Sequence, residues 1–206
     1  IMPFITQAEE MSEVVRLAKE PKYAPIAALI SLGIMLFASS MNLIASTSIS
    51  REGGTFWISK LIPVSPKDQV LAKLIHSSCL SLIALILMAV PLYFLLDISL
   101  YRLIIITFIG FLANVLINIL GLIIDLLRPK LEWNDPQEAI KQNLNAFLAM
   151  LAVLLLMTIL GGISVLLILK GISEFWIYGI LTLIIVILSI PSFYGLLILA
   201  NKKYNS

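Results

Sequence analysis

The residues of this sequence that could take part in chemistry are few, and the most regular set lies in one apolar run. A stripe on one helix face is predicted from positions separated by 4, 4, 3 and 4 residues: Gly110, Asn114, Asn118, Gly121 and Asp125. Small residues permit close approach of helices, and asparagine side chains form hydrogen bonds between helices in membranes. The stripe is therefore expected either to pack against neighbouring helices or to line a translocation path.

A shorter polar set lies in the first apolar run of the chain. Ser39, Asn42 and Ser46 recur at i, i+3 and i+7, which predicts a second polar stripe on one helix. Such a stripe is unfavourable against lipid, so it is also assigned to helix packing or a pathway. The only histidine, His76, is typical of an interface or packing residue. The single cysteine, Cys79, cannot form an internal disulfide, and no Cys/His spacing predicts a metal site.

Motifs of common enzymes do not occur in the sequence. There is no glycine-rich phosphate loop ending in Gly-Lys-Ser/Thr, so this chain is not expected to hydrolyse ATP or to hold a cofactor of its own. Neither a Gly-x-Ser-x-Gly elbow nor a His-Glu-x-x-His helix is present, and no catalytic residue is predicted. The adjacent acids Glu9 and Glu10 are similar to the paired acids of intramembrane CAAX-type proteases. That family also needs histidines, and His76 lies in a different context.

The amino-acid composition indicates the broad class of protein to which the chain belongs. The chain has 206 residues, of which 60% are hydrophobic and 13% charged, with a formal net charge of +2. A soluble domain has about 45–50% apolar and about 25% charged residues. The sequence therefore predicts an integral membrane protein in contact with the lipid bilayer. Nucleic acid is not an expected partner, because no basic cluster with interleaved aromatic residues exists.

Five apolar runs are the elements that must position these residues. An apolar helix of about 20 residues crosses the hydrocarbon core of a bilayer. The predicted spans are 25–48, 70–96, 103–127, 144–169 and 176–199, within a transmembrane domain at 23–206. Residues 1–22 are predicted to form an amphipathic juxtamembrane segment, with a capping box at 6–9. The expected fold class is an all-α integral membrane protein.

The polar segment 50–73, called the elbow below, separates the first two spans. Gly53-Gly54 is expected to release the chain from the preceding helix, since glycine adopts positive φ. Thr55 is placed to cap a short helix, which Pro63 ends. Ser65-Pro66-Lys67-Asp68 then has the capping residue, first-position proline and early acid that start a helix. The elbow is thus predicted to be a short folded segment that contains aromatic and basic residues.

Lysine and arginine are concentrated on the elbow's side of the predicted topology. One side has nine: Arg51, Lys60, Lys67, Lys73, Arg128, Lys130, Lys141, Lys202 and Lys203. The other has five: Arg16, Lys19, Lys22, Arg102 and Lys170. Because basic loops tend to remain in the cytoplasm, the elbow and the C-terminus are predicted to be cytoplasmic in a multi-pass protein of the plasma membrane.

Two phrases of the sequence resemble permease subunits of type-2 ATP-binding-cassette (ABC) exporters, above all a branch common in Gram-positive bacteria. They are SREGGTFWISKLIPVSPKDQVLAK and LLRPKLEWNDPQEAIKQN, and the likeness extends over about 23–200. The resemblance implies that the elbow contains a coupling helix, which seats in a cleft of a separate ATPase subunit carrying ATP–Mg. The implied coupling residues are Arg51, Glu52, Phe56, Trp57, Lys60 and Lys67.

The same resemblance implies further properties of the whole protein. Members of the branch are longer and have at least one earlier span, so this chain is expected to be the C-terminal part of a permease. A dimeric arrangement, or a pseudo-dimer with a second half, is implied as well. In the second phrase opposite charges cancel, which favours a structural brace over a site. Two other hypotheses remain, a membrane scaffold or assembly protein without transport and an intramembrane enzyme of CAAX-protease type.

Overall fold

The computed structural model describes residues 12–13, 15–135 and 137–205. Within these ranges the backbone contains helices and irregular segments and no β-strand. Residues 15–19 are helical, but most of the amphipathic segment predicted at 1–22, including Glu9 and Glu10, lies outside the described residues. The predicted all-α fold is confirmed.

From residue 24 onward, seven α-helices account for most of the described chain. The five long ones are α1 (Ala24–Ser40), α3 (Pro66–Leu96), α4 (Leu100–Leu127), α6 (Leu144–Leu169) and α7 (Glu174–Tyr204). The two short ones are α2 (Phe56–Leu61) and α5 (Glu138–Lys141). At about 1.5 Å per residue, the 31 residues of α3 extend about 46 Å, which exceeds the thickness of a hydrocarbon core of about 30 Å.

The five long apolar segments make this a multi-pass membrane protein. They run alternately up and down, and short turns at 97–99 and 170–173 connect them at one end, called the turn end. The elbow and the segment 128–143 lie at the other end, called the elbow end. Helix α4 is central: it contacts α1, α3, α6 and α7. Half of its most apolar stretch (50%) is buried, against 17–44% in the other four spans.

Two groups of buried side chains form the core. The larger group joins α1, α3, α4, α6 and α7 in the turn-end half of the bundle, around Met35, Leu85 and Ile106. The smaller group lies at the elbow end and contains Phe56 and Tyr204. Gly110 permits the close approach of α4 to its neighbours, since a Cβ there would lie 3.2 Å from a methyl carbon of Leu85.

The first predicted span ends earlier than expected. Helix α1 ends at Ser40 instead of position 48, and the chain continues through 3-10 turns at Ala45–Thr47 and Ser50–Thr55. The side-chain oxygen of Asn42 accepts a hydrogen bond from the backbone N–H of Ile44 at 3.0 Å, which offers the backbone an alternative to the helix. Asn42 and Ser46 therefore do not share a helix face with Ser39. The prediction of one continuous stripe for these three residues is wrong.

The end of the chain also differs from the expectation. The fifth span is predicted to end at residue 199, but α7 continues to Tyr204. Helix α3 does begin at Pro66, where the Ser65 hydroxyl accepts a hydrogen bond from the backbone N–H of Asp68 at 3.2 Å. Thr55 stands before α2 as predicted, yet its hydroxyl donates to the Glu52 carbonyl and does not cap the helix.

Candidate functional site

A carboxylate with no exposed surface, Asp125, forms the centre of the elbow end. It accepts hydrogen bonds from the backbone N–H groups of Ile49 at 2.6 Å and Ser50 at 3.1 Å. The Ser50 hydroxyl and the Asn145 side-chain amide, the latter at 2.9 Å, donate to its other oxygen. Three of these donors are N–H groups, which can only donate, so both oxygens of Asp125 act as acceptors. Asp125 thus connects α4 to the chain entering the elbow and to α6.

The segment 128–143 packs directly on the elbow. The Trp133 ring N–H donates to the Ser50 carbonyl at 2.9 Å, and the Lys130 backbone N–H donates to the Ser50 hydroxyl at the same distance. The Trp133 ring covers Gly53 so closely that a Cβ there would lie 2.6 Å from it. Gly53 also has a φ of +54°, a conformation that favours glycine. The two phrases that carry the family resemblance therefore contact each other, and the second braces the first.

The elbow is also fixed to the first turns of α3. Glu52 forms an ion pair with Lys73, and its second oxygen accepts a hydrogen bond from the Ser59 hydroxyl at 2.6 Å. The side-chain amide of Gln69 donates to the carbonyl of Ser59 at 2.8 Å and to that of Val64 at 3.1 Å. Side-chain contacts therefore connect helix α2 and its flanking residues to the first turns of α3.

The two adjacent aromatic residues of α2 point in opposite directions. Phe56 is only 7% exposed, and its ring meets that of Tyr204 edge to face with centroids 5.2 Å apart. Trp57 is 59% exposed. The expectation that both residues contact a partner thus needs correction, because Phe56 belongs to the core of this chain.

Among the remaining predicted coupling residues, some contact the rest of the chain and others are exposed. Glu52 faces the bundle through its pair with Lys73. Arg51 is exposed, but its guanidinium donates to the Ile44 carbonyl at 3.1 Å and so caps the preceding turn. Lys60 and Lys67 are exposed, and the Lys60 ammonium lies 5.4 Å from the centroid of the Phe56 ring. Together with Trp57 and the 73%-exposed Leu61, they form what is called the outer face below.

The asparagines of α4 are buried at contacts between helices. The Asn114 amide donates to the Ser39 hydroxyl at 2.8 Å, joining α4 to α1. The Asn118 amide lies 3.3 Å from the hydroxyls of Ser78 and Ser81, joining α4 to α3. These side chains act as packing residues in this arrangement of the bundle.

Asn42 and Ser46 lie beside the same part of α4. The Asn42 amide donates to the Ser81 hydroxyl at 3.0 Å. The backbone at Ser46 crosses α4 at Gly121, where a Cβ would lie 3.2 Å from the Ser46 nitrogen. A cavity of about 10 Å³ remains between these residues and Asn118, which is room for about one water molecule.

A second polar cluster lies at the turn end and was not predicted from the sequence. The Arg102 guanidinium binds both oxygens of Glu174, with Nε–Oε1 and Nη2–Oε2 distances of 2.8 and 3.0 Å. The Tyr178 hydroxyl donates to the same carboxylate at 2.6 Å. The available signal was the position of Glu174, an acid in the first turn of α7 on the same side of the membrane as Arg102.

Comparisons of the chain with protein families, with curated proteins and with solved structures found no match. The fold and the contacts therefore define the class directly. The chain is a multi-pass helical membrane protein with a folded elbow, which is fixed to the bundle on one side and exposed on the other.

Proposed function

We propose that this chain is a transmembrane permease subunit of an ATP-driven exporter. In this proposal it lies in the plasma membrane with the elbow and the C-terminus in the cytoplasm. The outer face of the elbow docks on a separate ABC ATPase subunit that binds ATP–Mg. The observation that carries the proposal is the division of the elbow into an inner side fixed by the bundle and an outer face that stays exposed in the described part of the chain.

The inner contacts suit the elbow to transmit a displacement. A movement of the elbow would reach α4 through Ser50 and Asp125, and α3 through Glu52 and Lys73. It would reach α7 through the contact of Phe56 with Tyr204. A segment that only joined two spans would not need contacts with three other parts of the bundle. Rigid contacts of this kind support a lever, since packed elements pass on a shift instead of absorbing it.

The outer face has the composition of a docking surface. Trp57 is an exposed aromatic anchor, and such residues often dominate the binding energy of interfaces. Lys60 and Lys67 lie beside it and would meet acidic groups around an apolar cleft. The substrate path of the exporter would form where the buried polar side chains of α4 separate from α1 and α3. A second permease subunit or a second half would complete that path.

The test compares two exposed tryptophans at opposite ends of the protein. Trp57→Ala should weaken co-purification of a P-loop ATPase from native membranes by about tenfold or more, since losses of about 2 kcal/mol are typical of aromatic anchors. Trp176→Ala is the matched control, because Trp176 is 63% exposed at the turn end and should leave association unchanged. Lys60→Ala should mainly make association more sensitive to salt.

Two outcomes would contradict the proposal. Equal ATPase recovery with Trp57→Ala and wild type would show that the outer face is not the docking surface. Recovery of a protein partner through the elbow, with no conformational response of the complex to ATP–Mg, would instead favour the scaffold hypothesis.

A further inference from the structure

The C-terminal end of α7 lies against the elbow and holds α2 in place. Tyr204 is only 4% exposed and meets the ring of Phe56 edge to face, at an interplanar angle of 75°. The Lys203 ammonium, one residue earlier, donates to the Leu127 carbonyl at the end of α4 at 3.3 Å. Leu196 and Ala200 of α7 belong to the same buried group as Phe56. The last turn of α7 therefore contacts α2 through the ring of Tyr204.

The hydroxyl of Tyr204 does not contribute to this packing. It is buried and has no hydrogen-bond partner within the described part of the chain. Burial of an unpaired hydroxyl costs free energy, and a phenylalanine at this position would pack its ring without that cost. The hydroxyl thus opposes the arrangement that the ring supports.

The groups around the hydroxyl indicate where it could find a partner. Glu52 lies four residues before Phe56, whose ring packs on that of Tyr204. Asp125 binds the backbone of Ile49, which belongs to the same buried group as Tyr204. Both Asp125 oxygens already have two donors each. Glu52 accepts from Lys73 and Ser59, whereas a carboxylate offers about four acceptor positions. Glu52 therefore has acceptor capacity left.

We propose that Tyr204 is a latch with two positions for the elbow. The ring contact with Phe56 holds the elbow in the arrangement of this structure. In a second arrangement, in which α2 shifts across the end of α7, the hydroxyl donates to Glu52 and the burial of Ala200 is lost. Tyr204 is thus a positioning residue whose ring and hydroxyl favour different states of the elbow. This inference concerns the chain alone and does not depend on what docks on the outer face.

The test measures the exposure of Ala200, which has no exposed surface in this arrangement. The purified chain would carry Cys79→Ser and Ala200→Cys, and the rate of labelling by a water-soluble maleimide would be followed in detergent. Tyr204→Ala should raise this rate about tenfold or more, because a cavity beside Phe56 frees the elbow. Tyr204→Phe should lower it about tenfold, a factor that corresponds to about 1.4 kcal/mol. Opposite signs from two substitutions at one position are not expected of a residue that only fills space.

Controls separate movement of the elbow from loss of the fold. Tyr194 is 63% exposed on the same helix, so Tyr194→Phe should leave the rate unchanged. A thiol introduced by Ala113→Cys, at a fully buried position on α4, should remain protected in every variant. In a Glu52→Ala background, Tyr204→Phe should change the rate less than about twofold.

Three outcomes would overturn the inference. A Tyr204→Phe rate equal to or above wild type would show that the hydroxyl does not favour a second arrangement. An unchanged rate with Tyr204→Ala would show that the ring does not hold the elbow. A full effect of Tyr204→Phe in the Glu52→Ala background would exclude Glu52 as the acceptor.

Discussion

The two ends of the bundle each hold a carboxylate, but by different means. At the turn end, Glu174 is paired with the charge of Arg102, and both side chains retain about a fifth of their exposure (18% and 19%). At the elbow end, Asp125 has no exposed surface and is held by neutral donors alone. An ion pair near the surface connects two helices and contributes little free energy. A buried acid that accepts backbone N–H groups fixes the path of the chain itself.

This difference fits the proposed roles of the two ends. Ile49 precedes the 3-10 turn Ser50–Thr55 and Ser50 begins it, so their backbone N–H groups have no partner within that turn. Asp125 supplies the missing acceptors and so determines where the elbow begins. At the turn end, Asp97 with its φ of +53° ends α3, and the next helix begins at Leu100. That end needs only a short reversal of the chain.

Removal of the acid at the elbow end should have the largest effect. Asp125→Ala leaves two buried backbone N–H groups without an acceptor, and each costs about 1–3 kcal/mol. We expect a loss of unfolding free energy of about 3 kcal/mol or more, measured by denaturant titration in mixed micelles. Asp125→Asn should lose less, about 1–2 kcal/mol, because its amide oxygen can still accept both backbone N–H groups while its amide nitrogen faces another donor, the Asn145 side-chain amide. Wild-type stability of Asp125→Asn would contradict the hydrogen-bond pattern described for the elbow end.

The second-largest loss of stability should come from a substitution of Gly53, which is covered by the Trp133 ring. In Gly53→Ala the new Cβ meets the Trp133 ring and the residue keeps a positive φ, for a combined cost of about 2–4 kcal/mol. Gly54→Ala is the control from the adjacent position, where a Cβ meets no atom within 4 Å. It should change stability by less than about 0.5 kcal/mol. Similar melting temperatures for the two variants would show that Trp133 does not brace the elbow.

Weakening the ion pair of Arg102 with Glu174 at the turn end should cost less unfolding free energy. Arg102→Lys replaces the planar guanidinium by an ammonium group, which cannot bind both oxygens of Glu174 in parallel. We expect a loss of about 1 kcal/mol that shrinks at high salt. The exposed pair of Arg16 with Glu13 provides the control, since Arg16→Gln should have no measurable effect. A loss from Arg102→Lys as large as that from Asp125→Ala would remove the distinction between the two ends.

The all-α membrane fold could be predicted because apolar runs and capping residues are local signals. Ser65 and Pro66 begin α3 as expected, and α6 has the predicted bounds at Leu144–Leu169. The stripe from Gly110 to Asp125 also indicated the buried face of α4 correctly, since all five of its residues are buried. The faces that the other spans bury could not be predicted in this way, because lipid and core are equally apolar and those spans have no continuous polar stripe.

The contacts of the site depend on partners that are distant in sequence. Ser50 and Asp125 are 75 residues apart, and Ser50 and Trp133 are 83 apart. Phe56 and Trp57 are adjacent and similar in type, yet Tyr204 buries one and leaves the other exposed. No pattern near the elbow indicates that the end of α7 would return to it. Only the fold brings Tyr204 and Asn145 to the site.

The smallest effects should come from the polar contacts between the two ends, where Asn114 and Asn118 can be compared directly. Asn114 makes bonds of 2.8 and 3.0 Å to the Ser39 hydroxyl and the Gly110 carbonyl, whereas Asn118 lies 3.3 Å from two serine hydroxyls. Polar contacts between membrane helices contribute about 0.6 kcal/mol on average and at most about 2. Asn118→Leu should therefore cost about 0.6 kcal/mol and Asn114→Leu about twice that, by the same denaturant titration. If both variants are as stable as wild type but transport is impaired, these asparagines serve the path more than the packing, and the bundle would be held mainly by its elbow end.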